Sequence, residues 1–260
     1  MSDPVPAVTE AAAVGETAAL FADIRDTIGV RVVNLVWRHL ATIDGALPWA
    51  WQAAKPLYLQ GLADRAAVDL RAALEVPRLA GLEGPQPASV DAVLASYDHS
   101  NTVNLLVLGA LLAWLRGETA SSGTPAGGDR IAAPDLALPK LLSEGEVSPQ
   151  TWACVLRLNR FGDTPQPLIL ASMYRHLAHE PAFLERLETA LAPVQADGSL
   201  DRAIRANRAR AMDQSRLLAR TIEAEPPRHA ERVEQAIADF VEHAIGKMVT
   251  IGRAIRLARG

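Results

Sequence analysis

Two stretches of this chain, 143 positions apart, follow each other residue for residue without a gap. "VDAVLASYDHSNTVNLLVLGALLAWLRG" (90–117) lies against "VEQAIADFVEHAIGKMVTIGRAIRLARG" (233–260). Val90 meets Val233, Asp91 meets Glu234, Tyr97 meets Phe240 and Gly109 meets Gly252. Both stretches end in Arg-Gly. A second echo comes earlier in each half, "WRHLA" (37–41) and "YRHLA" (174–178), and a looser likeness extends over 32–51 and 168–187. Two anchors in the same order constrain the fold strongly, because one structural plan must serve twice. The chain is read as a tandem repeat: 10–117, a linker at 118–144, and 145–260. The linker, which contains "ETASSGTPAGGDRIAAPDLALPK", is rich in Gly, Ser, Pro and Ala and has little with which to build a core. A period this long is no solenoid unit. It describes a fused dimer, two bundles about a pseudo-twofold axis with a site between them.

Each half reads as helical. In Thr17–Ile28 the apolar residues Leu20, Phe21, Ile24 and Ile28 recur at helical spacing. The same reasoning predicts helices over 32–42, 46–62, 64–75, 88–98 and 101–116, then 148–160, 167–178, 181–192, 199–222 and 228–258. With 49% apolar but only 5% aromatic residues, the core must come from Ala, Leu, Val and Ile, and no stretch alternates at period two. The fold class is all-α. The most apolar run, Leu105–Leu115, is too short to cross a bilayer and reads as a buried helix.

The net charge of −4 argues against nucleic acid as a partner of the whole chain. Residues 201–260 carry 12 Lys and Arg against 8 Asp and Glu. That local excess, with Arg202 to Arg220 on one predicted helix, reads either as a solvated face or as an anion surface. A single cysteine, Cys154, excludes an intrachain disulfide and suits a reducing compartment. The N-terminus lacks the charge and apolar core of a signal peptide, so a soluble cytoplasmic protein is expected, without a membrane.

In a fused dimer, the site is sought where equivalent positions differ. "YDHSNTVN" (97–104) faces "FVEHAIGK", so that Asn101 meets Ala244 and Asn104 meets Lys247. Ser100 or Asn101 could cap a helix, or Asn101 could direct its amide into a cavity. "LNRFGDTPQP" (158–167) replaces the shorter "IGVRV" of the first half. Its Asp163 could be part of a turn, or a partly desolvated general base. His39 and His176 are matched, which argues for shared structure. His176, His179 and Glu180 lack the order of a metal-binding helix, and no metal is expected.

The stretch 15–52 resembles the first repeat of the group I DL-2-haloacid dehalogenases, through Asp23-Ile24-Arg25, the Arg-x-Leu-Ala-Thr of 38–42 and the Leu-Pro-x-Ala-Trp of 47–51. "SNTVNLLVLGAL" (100–111) is similar to a second stretch of that family. The resemblance implies an all-α homodimer that needs no cofactor. It also implies a water, activated by an Asp of the second repeat, that displaces halide from a small 2-haloacid with inversion and without a covalent ester. The family's water-holding Asn falls on Asn101. A Trp and a Phe of its pocket fall on Val32 and Leu35 and a Tyr on Asn104, and Thr164 and Gln166 of the second half are taken as further pocket residues. Its catalytic Asp falls on Gln166 if "ILAS" (169–172) is anchored without gaps, and on Asp163 if compensating gaps are allowed. Three readings remain: a hydrolase with Asp163 as base and Asn101 as water holder; an altered relative that binds a small carboxylate without dehalogenating it; or a dimer that binds polyanions through 202–220.

Overall fold

The computed structural model describes residues 5–162 and 169–259, and among these every regular element is a helix. The N-terminal half contributes α1 (Gly15–Ile28), α2 (Leu35–Leu40), α3 (Ala46–Leu59), α4 (Leu62–Ala73) and α5 (Ala88–Leu115). The C-terminal half contributes α6 (Pro149–Arg160), α7 (Ser172–Leu177), α8 (Pro181–Ala196), α9 (Ser199–Leu218), α10 (Ala230–Ala238) and α11 (Ile245–Ala258). A π-helical turn over Asp239–Ala244 joins the last two. Local chemistry sets several ends. Ser148 caps α6 by accepting from the Thr151 N–H, with Pro149 in the first turn. Gly29 stops α1 in the left-handed region at φ 77°, where a side chain would be strained. No helix among the described residues is long and apolar enough to cross a membrane.

Two hydrophobic cores form, and the long helices cross from one to the other. α1 to α4 build the first core with Val103–Ala113 of α5 and with α10. α6 to α8 build the second with Val90–Leu94 of α5 and the end of α11. At about 1.5 Å per residue, α5 is about 42 Å long, enough to serve both. Its middle, "SYDHSNT" (96–102), lies between the cores and is polar, yet Asp98 to Thr102 are all buried.

That middle overturns one expectation. A helix boundary between 98 and 101 does not occur, so neither Ser100 nor Asn101 is a cap. Tertiary partners serve the polar groups instead. Arg71 and Arg256 meet the Asp98 carboxylate, and the Thr102 hydroxyl donates to the Asp98 carbonyl at 2.7 Å. The helical ladder therefore runs on through residues that favour helix ends when water is their only alternative. Residues 32–34, expected in a helix, are loop before α2.

Several contacts recur with the halves exchanged. Arg116 pairs with Glu234 at 2.8 Å, and Arg259, its counterpart, pairs with Asp91. The rings of His39 and Phe240 lie 5.8 Å apart, as do those of Tyr97 and His176. His39 Nδ1 contacts the Pro6 carbonyl, and His176 Nδ1 the Pro139 carbonyl. The matched histidines thus hold matched places. The segment 118–143 has no regular structure but is pinned to both halves. Arg130 bonds Asp64 and the Thr27 carbonyl, while Arg175 and His179 donate to the Leu142 and Lys140 carbonyls.

α5 and α9 approach closely at Gly109, where an added Cβ would meet Ser215 Oγ at 2.4 Å and Cβ at 3.0 Å. Ser215 is fully buried and donates to the Leu106 carbonyl at 3.0 Å, so it has nowhere to retreat. Gly252, the matched position, faces open space. Gly109→Ala is expected to destabilise by about 1–3 kcal/mol through overpacking. Gly252→Ala should stabilise by about 0.5–1 kcal/mol through helix propensity. Urea unfolding midpoints of the two variants check both signs.

Candidate functional site

Where the two cores meet, a cavity opens, with about 800 Å³ of atom-free space when the open solvent at its mouth is included. The loop before α2 forms one wall, with Arg31 and Val32 exposed at the rim and Val33 to Val36 inside. The matched loop of the C-terminal half faces it, from Ile169 to Met173. The floor is the polar middle of α5, through Tyr97, Ser100 and Asn101, with Phe240, Ala244 and Ile245 of the π-turn region opposite. Leu138 and Leu141 close one side. The lining is mostly apolar, so polar side chains within it stand out.

The sequence-predicted residues divide into three groups. Asn101, Val32 and Leu35 line the cavity together. Asn101 is 9% exposed, and no described residue bonds its amide. Such a group in a sparsely polar cavity is available to a ligand or a water. Asn104, expected in the pocket, stands behind its wall, fully buried. Its Oδ1 accepts from Trp37 Nε1 at 2.9 Å and Tyr58 Oη at 3.1 Å. Its Nδ2 donates to the Ser100 carbonyl at 2.7 Å and to Asn34 Oδ1 at 3.3 Å. With both acceptor and both donor positions filled, this amide buttresses the wall and offers nothing to a ligand. Asp163, Thr164 and Gln166 lie outside the described residues. The chain enters that stretch from Gly162, whose N–H donates to Gln195 Oε1 at 2.7 Å, and leaves it at Ile169 in the cavity wall.

Asn34 is the site residue that sequence reasoning missed. It lines the cavity and stands opposite Ala171 in the "RHLA" echo, so the rule that found Asn101 also applied to it. Asp23 and Arg25, in the stretch that carries the family resemblance, prove architectural. Asp23 accepts from Trp51 Nε1 at 2.7 Å and from Lys55, and the Lys55 bond foremost holds its carboxyl below the usual range. Arg25 pairs with Glu10, whose other oxygen accepts from the Val33 N–H at 2.9 Å and so fixes the cavity loop.

Among the described lining residues no carboxylate appears; the titratable groups are Arg31, Arg38, Tyr97 and His176. Arg38 is buried, and its Nε donates to the Val33 carbonyl at 3.1 Å. Burial raises the Tyr97 hydroxyl above its ordinary value. Burial likewise pushes His176 down to about 4, against the opposing effect of its bond to the Pro139 carbonyl. His176 is therefore neutral at pH 7 and a weak base. Unfolded, it binds a proton below pH 6.5; folded, it does not until about 4. Stability from this group is thus complete above pH 6.5 and is lost as pH falls toward 4. The advantage of wild type over His176→Gln should shrink by about 3 kcal/mol across that window. Chemical denaturation of both proteins at pH 7 and pH 4.5 checks it.

No family model and no curated protein matches this sequence. Solved structures do match. A D-2-haloacid dehalogenase mutant is 17% identical with a TM-score of 0.75, over 99% of this chain and 96% of that one. A D-2-haloacid dehalogenase in complex with L-LA is 18% identical with a TM-score of 0.77, over 99% and 97%. A mutant of such an enzyme with D-2-CPA is 17% identical with a TM-score of 0.69, over 99% and 97%. The chain thus has the all-α fold of the D-2-haloacid dehalogenase structures across nearly its whole length.

Proposed function

We propose that the cavity hydrolyses small 2-haloalkanoic acids. The carrying observation is the amide of Asn101, bonded by no described residue, in a mostly apolar cavity between the halves, within a fold shared with D-2-haloacid dehalogenases. Asn101 would hold a water, and Asp163 would take a proton from it as general base. The water oxygen forms a bond to the α-carbon from the side opposite the halogen. The carbon–halogen bond breaks, and halide leaves with the bonding pair. The product is a 2-hydroxy acid of inverted configuration, formed with no ester to the protein. Val32 and Leu35, with Thr164 and Gln166, would shape the pocket around the short chain and the halogen. The reciprocal contacts support two tandem repeats, 10–117 and 145–260, with the site on their pseudo-axis. A cytoplasmic homodimer completes the proposal, and sedimentation of the purified chain reads its assembly.

A second reading has its own observation. No described lining residue can serve as a carboxylate base, so the chemistry depends on 163–168. If Gln166 rather than Asp163 occupies the base position, the cavity binds a small carboxylate without dehalogenating it. Chloride release from racemic 2-chloropropionate separates the two. Wild type should release chloride, and Asp163→Asn should lower the rate by about 10²-fold or more. No release from wild type, with release gained by Gln166→Asp, would establish the second reading.

A further inference from the structure

We infer that Asn34 binds the carboxylate of the cavity's ligand, its amide turned donor-side inward by a relay through Asn104. The inference rests on the cavity's being a small-carboxylate site, whether or not halide is displaced there.

Asn34 stands at the N-cap position of α2, where Asn commonly caps through its side chain. Here no such bond forms. The side chain is directed instead to Asn104 behind the wall, while Asn34 lines the cavity in front of it.

The orientation of both amides is set by groups that have no choice. Trp37 Nε1 can only donate, so the Asn104 atom it meets is the oxygen. The Ser100 carbonyl can only accept, so the atom it meets is the Asn104 nitrogen. Asn104 is therefore fixed from both sides. Its second N–H points at Asn34, and the facing Asn34 atom must be Oδ1. Turning Asn34 over would set two N–H donors against each other and lose the bond. The Asn34 NH₂ is left as the free end of the relay, with no partner among the described residues.

The lining decides which ligand group such an end selects. The Asn34 side chain offers only N–H to the cavity, no described lining carboxylate competes for it, and the charged lining groups are Arg38 and, at the rim and paired with Asp135, Arg31. A ligand group that only accepts hydrogen bonds and carries negative charge fits that arrangement, and a carboxylate is such a group. Asn104 acts here as a positioning residue. It bonds Asn34 and also the Ser100 carbonyl, one residue before Asn101 on α5. One buried amide thus fixes both the carboxylate end and the water end of the cavity.

The test titrates the full chain with lactate and with lactamide, its neutral counterpart, by calorimetry. Wild type is compared with Asn34→Asp and Asn34→Ala. The carboxylate introduced by Asn34→Asp can still accept from Asn104, so the wall keeps its support while the cavity loses a donor and gains a negative charge. The expected result is lactate binding weakened about 10- to 100-fold in Asn34→Asp, with lactamide changed by no more than about 2-fold. Asn34→Ala should weaken lactate by about 10-fold and gives the answer if Asn34→Asp fails to fold. Unchanged lactate affinity in the variants would overturn the role of Asn34 alone. Equal loss of both ligands would reduce Asn34 to a structural part and overturn it as well. A wild type that binds neither ligand would overturn the carboxylate site together with this inference. A wild type that binds lactate selectively but releases no chloride would defeat the hydrolase and leave Asn34 standing.

Discussion

A side-chain amide with no access to water must find four partners or destabilise whatever buries it. Asn104 finds all four, from α2, α3, the loop before α2 and its own helix. Those partners come from parts of the chain that hydrophobic contact alone would let slide. Trp37 packs edge-on to Trp51 at 5.4 Å, and Trp51 in turn lies beside Tyr58. The amide thus ties an aromatic cluster in the first core to the polar middle of α5. The wall of the cavity holds its shape because the groups behind it are satisfied and packed.

The two hydrophobic cores and the route of α5 between them explain why a cavity forms where it does. Helices that cross from one core to another leave a level where neither core claims their side chains. At that level α5 carries Ser96 to Thr102. Asp98 and Thr102 find ion-pair and hydrogen-bond partners there, whereas Asn101 faces the opening.

Much of this was legible in the sequence, for reasons that can be named. Helical periodicity and the run Leu105–Leu115 pointed to the all-α architecture, and the entire run except its last two residues is buried. The echo between 97–104 and 240–247 pointed to Asn101, because Ala244 cannot do what an amide does. The polar run itself suggested a helix cap, and there it misled. Local polarity signals a helix end only when no distant Arg71 or Arg256 exists to satisfy it, and such partners are invisible to a window of eight residues. Asn104 was placed in the pocket because a pocket residue of the resembled family falls on it. Its depth was settled by Trp37 and Tyr58, 67 and 46 positions away. Asn34 escaped notice because its segment read as helix rather than as loop. Two residues of the family resemblance, Asp23 and Trp51, bond each other and hold the scaffold.

The π-turn at Asp239–Ala244 has a consequence for reading one half through the other. A π-turn accommodates an extra residue in a helical turn, and each residue of an α-helix rotates the next by about 100°. The matched stretch of α5, 96–101, is ordinary α-helix. Beyond it, letters that align keep their place in the sequence but lose their phase around the axis. Gly109 presses on α9 while Gly252 looks into open space. Equivalence between the halves past Ala244 is therefore a matter of angle as well as position. A single π-turn is enough to let two aligned helices present different faces to a shared cavity.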